Sequence, residues 1–172
     1  MDFIKAKDTY KKHAIVQRKM AKKLVLELKT RCGADFQDVF EIGSGTGLLS
    51  DEIISNLNFE KFILNDLTEN YTGISPFKYY KGDILKADIE ENFDLIISNA
   101  VFQWIDDKEK LCSKLYRLLN RDGILAFTTF GGDNFNQIKD TTGFSLDYTD
   151  IAPFIEKAGF KILYFEEELE TL

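Results

Sequence analysis

Hydrophobic and polar positions alternate along this chain with two periods. From Thr9 or Asp8 to about Thr30, Ala14, Ala21, Leu24, Val25 and Leu28 share one helical face among lysines, and Gly33 follows as a stop. The period then changes: Asp38–Ile42 reads as a short buried strand that runs into a glycine-rich loop. Leu48 to Leu57 is helical, with Leu48, Leu49, Ile53, Ile54 and Leu57 inward. Lys61 to Asn65 (ending at Asp66), Phe77 to Lys81 and Phe93 to Ser98 are strands two to four. A helix over Asp106–Leu119 turns Leu111, Leu115, Leu118 and Leu119 to the core, Arg121-Asp122-Gly123 is a turn, and Ile124–Phe130 is strand five. Thr149–Ala158 is a helix closed by Gly159, and Phe160–Phe165 is a sixth strand running into an acidic tail. Strands alternating with helices imply βαβ crossovers, and continuous apolar strands imply a sheet covered on both faces. The expected class is α/β: a Rossmann-like, doubly wound, mainly parallel sheet in a single domain over 1–172.

Composition adds limits. The 172 residues are long enough for one packed core, with 44% hydrophobic and 30% charged residues. No apolar run approaches the about 18 residues of a membrane span, and the N-terminus has no signal-like stretch, so a cytoplasmic protein without a membrane role is expected. Two cysteines, Cys32 and Cys112, and one histidine, His13, make a disulfide framework or a metal centre unexpected. The net charge of −7 divides into +7 over residues 1–31 and −14 over the remainder. The acidic body disfavours nucleic acid, whereas the basic head suits an acidic partner or is simply a solvated helix face.

In an open parallel sheet, ligands bind beyond the carboxyl ends of the strands. There the chain carries Glu41-Ile42-Gly43-Ser44-Gly45-Thr46-Gly47. Glycines admit close backbone approach, and the helix that follows offers free N–H groups to the same place. The spacing is G-x-G-x-G; a dinucleotide fingerprint would need glycine where Leu48 stands, which disfavours a dehydrogenase. Asp66, nineteen residues after Gly47, ends strand two, where a carboxylate can accept from both ribose hydroxyls; a turn or cap aspartate is the plainer role. Phe102 and Trp104 read as core or pocket wall.

The glycine loop with its preceding acid resembles motif I of class I S-adenosylmethionine-dependent methyltransferases. In that family the Glu41 position lies near the bound methionine moiety. Asp83 resembles the acid that accepts from the adenine amino group, with turn formation as its alternative, and Ile84 would add a backbone N–H and an apolar wall. Thr9-Tyr10-Lys11-Lys12-His13-Ala14-Ile15-Val16-Gln17 and Ser98-Asn99-Ala100-Val101-Phe102-Gln103-Trp104 resemble segments of the malonyl carrier-protein O-methyltransferases of biotin synthesis (the BioC family). Asn65-Asp66-Leu67 and Ile124–Phe130 also fit that family, so the likeness covers nearly the whole chain. It implies S-adenosyl-L-methionine as cofactor and methylation of the free carboxyl of a malonyl thioester on acyl carrier protein.

By the same resemblance, the cofactor would meet Tyr10, His13 and Gln17 of an N-terminal lid helix at about 9–30. It would also meet Glu41, Gly43, Ser44, Gly45 and Gly47 of the loop, then Asp66, Leu67, Asp83, Ile84, Asn99 and Ala100. The catalytic group is left open, with Tyr10, His13, Gln103 and Trp104 as substrate-side candidates. No metal is called for. Other readings stand beside this one: a methyltransferase of another small molecule, or a non-catalytic cofactor-binding or interaction module. The chain departs from the family at Lys11 (usually an acid), at Ser44 (often Cys) and in a short segment between Asp66 and Phe77 with room for about one helical turn. It also ends at Leu172, before the family's last helices and antiparallel strand. The sixth strand is therefore expected to pair with strand five or to recruit a second chain at the exposed edge, with methyl transfer weak or absent.

Overall fold

The structure, a computed structural model, describes residues 14–131 and 151–168. Among the described residues, five strands form one sheet in the order β3-β2-β1-β4-β5, every neighbouring pair parallel. They are β1 (Asp38–Ile42), β2 (Lys61–Asp66), β3 (Lys78–Lys81), β4 (Phe93–Asn99) and β5 (Leu119–Thr128). Helices α1 (Ile15–Cys32), α2 (Leu48–Asn56), α3 (Lys108–Leu118) and α4 (Ala152–Ala158) complete the described elements, with a short 3₁₀ turn at Phe102–Trp104. None of these helices is long and apolar enough to cross a membrane.

Side chains on a strand point alternately to the two faces, and each face has its own core. On one face Val39, Phe62, Leu64, Leu95 and Ile97 meet Ala21, Val25 and Leu28 of α1 and Leu49 and Ile53 of α2. On the other, Phe40, Ile42, Ile63 and Ile96 meet Leu111, Cys112 and Leu115 of α3 and Ile155 of α4. Phe40 stacks on Phe93 with ring centroids 4.7 Å apart, and Phe102 stacks on Phe127 at 4.6 Å. Asp107, outside α3, accepts from the Lys110 N–H, a side-chain cap that begins the helix later than Asp106.

Several expectations are corrected. Helix α1 opens at Ile15, because Ala14 is buried and takes non-helical dihedrals; Thr9 and Asp8 lie outside the described residues. In α2, Ile54 is 46% exposed, and the inward place belongs to Ser50. Phe77 lies outside β3 and is exposed. The segment between Asp66 and Phe77 forms no helical turn: Asn70 accepts from the N–H and hydroxyl of Thr72, building a side-chain turn instead. Leu119 is not the last inward residue of a helix but the first residue of β5, paired with Phe93. The ladder then skips from Phe93↔Leu119 to Leu95↔Ile124, so Arg121-Asp122-Gly123 bulges within the strand, with Asp122 at φ +64°. Asp94 holds the bulge by accepting from Asn120 Nδ2, and it also accepts from the N–H groups of Gln37 and Asp38.

The largest correction concerns residues 160–168, where no strand forms and no ladder with β5 exists. Phe160 packs edge-on against Tyr116 at 5.1 Å, but Ile162, Leu163 and Phe165 are exposed. Charged contacts run along the segment instead. Glu166 and Glu168 lie 3.0 and 2.7 Å from Lys23 Nζ on α1, and the Arg31 guanidinium stands 3.7 Å over the Tyr164 ring. Such exposed ion pairs are worth at most about 1 kcal/mol each, so they orient the segment along α1 without anchoring it.

Candidate functional site

The strand order brings the carboxyl ends of β3, β2, β1 and β4 side by side, and the candidate residues fall along that row. The chain leaves β1 at Ile42 and turns within a few residues into α2. Gly43 (φ +72°) makes that turn possible, and a Cβ there would stand 2.3 Å from Val101 Cγ2. Gly47 (φ +88°) is the left-handed residue from which α2 starts, pressed against Thr72. The loop is pinned from β2: the Asn65 carbonyl accepts from the N–H groups of Gly43 (2.8 Å) and Ser44 (3.0 Å). The Asn65 carboxamide ties down the end of β3 by donating to the carbonyls of Tyr80 and Gly82.

Two acids stand at this loop. Glu41 points to the α1/α2 side of the sheet, is 1% exposed, and accepts from the Ser50 hydroxyl at 2.6 Å. Burial pushes its carboxyl up to about 8, with the carboxylates of Asp66 and Asp51 adding to the shift and the Ser50 hydrogen bond opposing it. Asp66 accepts from the Gly45 N–H at 2.8 Å and, on its other oxygen, from the N–H and hydroxyl of Thr68. It therefore organises the loop, a role the sequence reading did not assign to it. Ser50 was missed as well; the signal for it was a hydroxyl in the first turn of the helix that follows the loop, close to a buried acid.

The remaining candidates separate. Leu67 beside Asp66 is 70% exposed, an apolar surface at the rim. Asp83 forms a turn, accepting from the Leu85 N–H, while Ile84 is buried in the core of the α3 face. Asn99 ends β4 and Ala100 follows it, and Asn99 Nδ2 reaches the Gln17 carbonyl of α1 at 3.0 Å. Gln103 is buried with both ends of its carboxamide engaged, donating to the Ala100 carbonyl and accepting from the Thr129 hydroxyl. Trp104 is 59% exposed. Tyr10 and His13 lie outside the described residues. Among those described, no group of three or more His, Cys, Asp or Glu side chains could hold a metal ion.

Comparison with known proteins bears on this arrangement. Residues 40–127 match the family model of a methyltransferase domain. The malonyl-[acyl-carrier protein] O-methyltransferase of Calditerrivibrio nitroreducens is 36% identical over 99% of this chain and 74% of its own length. The chain belongs to the malonyl-[acyl-carrier protein] O-methyltransferase family. The fold agrees. A solved S-adenosylmethionine-dependent methyltransferase from Clostridium acetobutylicum superposes with a TM-score of 0.64 at 21% identity, over 79% of this chain and 61% of that one. The phosphoethanolamine N-methyltransferase 2 of Haemonchus contortus, solved with S-adenosyl-L-methionine, superposes at 0.62 with 23% identity, over 80% of this chain and 36% of that one.

This methyltransferase uses S-adenosyl-L-methionine as its cofactor. The described residues fit it. The backbone at Gly45 has no side chain to keep a ligand away, and only the Gly43 carbonyl comes within 4.0 Å of where a Gly45 Cβ would be, whereas the space beside Gly43 is filled by Val101. The Thr46 hydroxyl is buried with no hydrogen-bond partner among the described residues. A cationic ligand group beside Glu41 would draw that carboxyl into its charged form.

Proposed function

We propose that this methyltransferase esterifies the free carboxyl of a malonyl thioester carried on acyl carrier protein. The observation that carries the reading is the similarity, over 99% of this chain and 74% of the other, to a relative named for that activity. A +7 N-terminal region, opposite in sign to an acidic carrier, supports it.

When bound, the cofactor supplies an activated methyl group on a sulfonium, which leaves with the electron pair remaining on sulfur. The chain's own task is alignment and exclusion of water. A malonyl carboxylate is ionised at neutral pH, so the oxygen that attacks needs no general base. We assign Glu41 to the methionine end, Asp66 to the ribose, and Leu67 with the Asp83–Ile84 turn to the adenine side. Asn99, Ala100 and Gln17 border the methyl end. Tyr10 and His13 belong to the lid, and Trp104 to the substrate rim. The cytoplasmic location expected from the sequence belongs to the same proposal, as does pairing of two copies through the outer edge of β5.

Incubation of the chain with malonyl-carrier protein and S-adenosylmethionine, followed by intact-mass measurement, tests the function. The carrier should gain one methyl group, and an acetyl-carrier protein, which has no free carboxyl, should gain none. Methylation of free carboxylic acids with an untouched malonyl carrier would move the reading to a small-molecule substrate.

A further inference from the structure

One hydroxyl joins the ends of β4 and β5 to the start of α1. Thr128 Oγ1 donates to Asn99 Oδ1 at 2.6 Å and accepts from the Ala100 N–H at 3.2 Å. Asn99 in turn donates from Nδ2 to the Gln17 carbonyl at 3.0 Å, bridging 82 residues of sequence. A carboxamide turned by 180° exchanges its donor and its acceptor. The Gln17 carbonyl only accepts, so Asn99 can hold it in one of those two orientations and not in the other. The Gln17 carbonyl thus sets the orientation, and the Thr128 hydroxyl holds the carboxamide in it by donating to Oδ1.

The backbone beside Asn99 is held by the same residue. Ala100 sits at φ +56°, an uncommon place for a side-chain-bearing residue, and its N–H also donates to the Thr128 carbonyl at 3.0 Å. The next residue repeats the pattern: the Thr129 hydroxyl donates to Gln103 Oε1 at 3.1 Å, and Gln103 Nε2 donates to the Ala100 carbonyl at 2.7 Å. Asn99, Ala100 and Gln103 are therefore held by two adjacent threonines, Thr128 at the end of β5 and Thr129 just after it.

We propose that Thr128 is a positioning residue for the cofactor site: its hydroxyl holds Asn99, and Asn99 clasps the first turn of α1 over the carboxyl end of the sheet. The inference rests on the reading that Asn99, Ala100 and Gln17 border the cofactor. Without the hydroxyl, Asn99 Oδ1 loses its donor, the carboxamide is held from one side only, and its grip on the Gln17 carbonyl weakens. The consequence falls on holding the cofactor rather than on the methyl transfer itself.

Thr128→Val removes the hydroxyl at nearly constant volume, and Thr128→Ser keeps it. The Kd for S-adenosylhomocysteine, read by calorimetry, should rise roughly tenfold in Thr128→Val. The KM for S-adenosylmethionine should rise alike, with kcat at saturation close to that of the parent. Amide exchange, measured without ligand, should quicken in the first turn of α1 while β1 stays protected. Thr128→Ser should restore all of these. Serine as impaired as valine, or valine indistinguishable from the parent, would overturn the assignment. Should Thr128→Val fail to fold, Thr128→Ala against Thr128→Ser asks the same question. A parent that does not bind S-adenosylhomocysteine would remove the cofactor reading, and the ligand-free exchange comparison would still decide the clasp.

Discussion

Glu41→Gln isolates the buried acid under the glycine loop. Glu41 is 1% exposed and its carboxyl is raised from an ordinary 4.5 to about 8, chiefly by burial. A group whose folded value lies above its unfolded one stabilises the fold fully below the unfolded value and loses that contribution as pH rises through the folded one. Glu41 therefore weakens the ligand-free fold progressively between about pH 4.5 and 8. At 1.36 kcal/mol per pH unit, the loss is about 3 kcal/mol by pH 7 and on the order of 4 kcal/mol at pH 8. Glutamine has the shape of the protonated acid and can still accept from the Ser50 hydroxyl, so it should remove this dependence. Urea unfolding of parent and variant at pH 5, 6, 7 and 8 checks it. The two should be nearly equal at pH 5, and the variant should be more stable by a few kcal/mol at pH 8. A constant difference across that range, or a variant less stable at pH 8, would refute the reasoning. The same acid should respond to the cofactor. A cationic group beside it favours the carboxylate, so cofactor binding near pH 7 should release close to one proton in the parent and none in the variant. Calorimetry in buffers of different ionisation enthalpy reads that proton directly.

Three further outcomes are expected. Gly43→Ala should destabilise the fold by about 2–4 kcal/mol, from the left-handed backbone and the collision with Val101, as seen by thermal unfolding; an unchanged Tm would contradict the loop geometry. Asp66→Ala should weaken S-adenosylhomocysteine binding by about 1.5–3 kcal/mol, since it removes hydrogen bonds to a charged group as well as the anchor of the Gly45 N–H; equal affinity by calorimetry would remove Asp66 from the site. Reversing the charge of Lys22 and Lys29, both exposed on α1, should slow association with acyl carrier protein at low salt and converge with the parent at high salt. Stopped-flow rates indifferent to both substitution and salt would dismiss α1 as the docking face.

Much of the architecture follows from short-range pattern. Strand β1 has the bounds read from its apolar run, and the inward stripe of α1 is the one its spacing marked out, with Leu24 only partly covered. The placement of Gly43, Asp66 and Asn99 at one end of the sheet was also legible, because parallel strands joined by helices all finish at the same end. These features depend on a residue's near neighbours: side-chain alternation, glycine's freedom and the reach of a helical turn. Contacts between distant segments decided the rest. Leu119 begins a strand because Phe93 lies opposite, and the place beside Glu41 goes to Ser50 while Ile54 faces solvent. Asp66 holds the Gly45 N–H, Glu166 and Glu168 meet Lys23, and Thr128 reaches Asn99 and through it Gln17. In each case the partner is a donor, an acceptor or an ion that packing brings within about 3 Å from far along the chain. A periodicity can say that such a group is buried or exposed, but only the folded arrangement of the two layers around the sheet chooses the atom it meets.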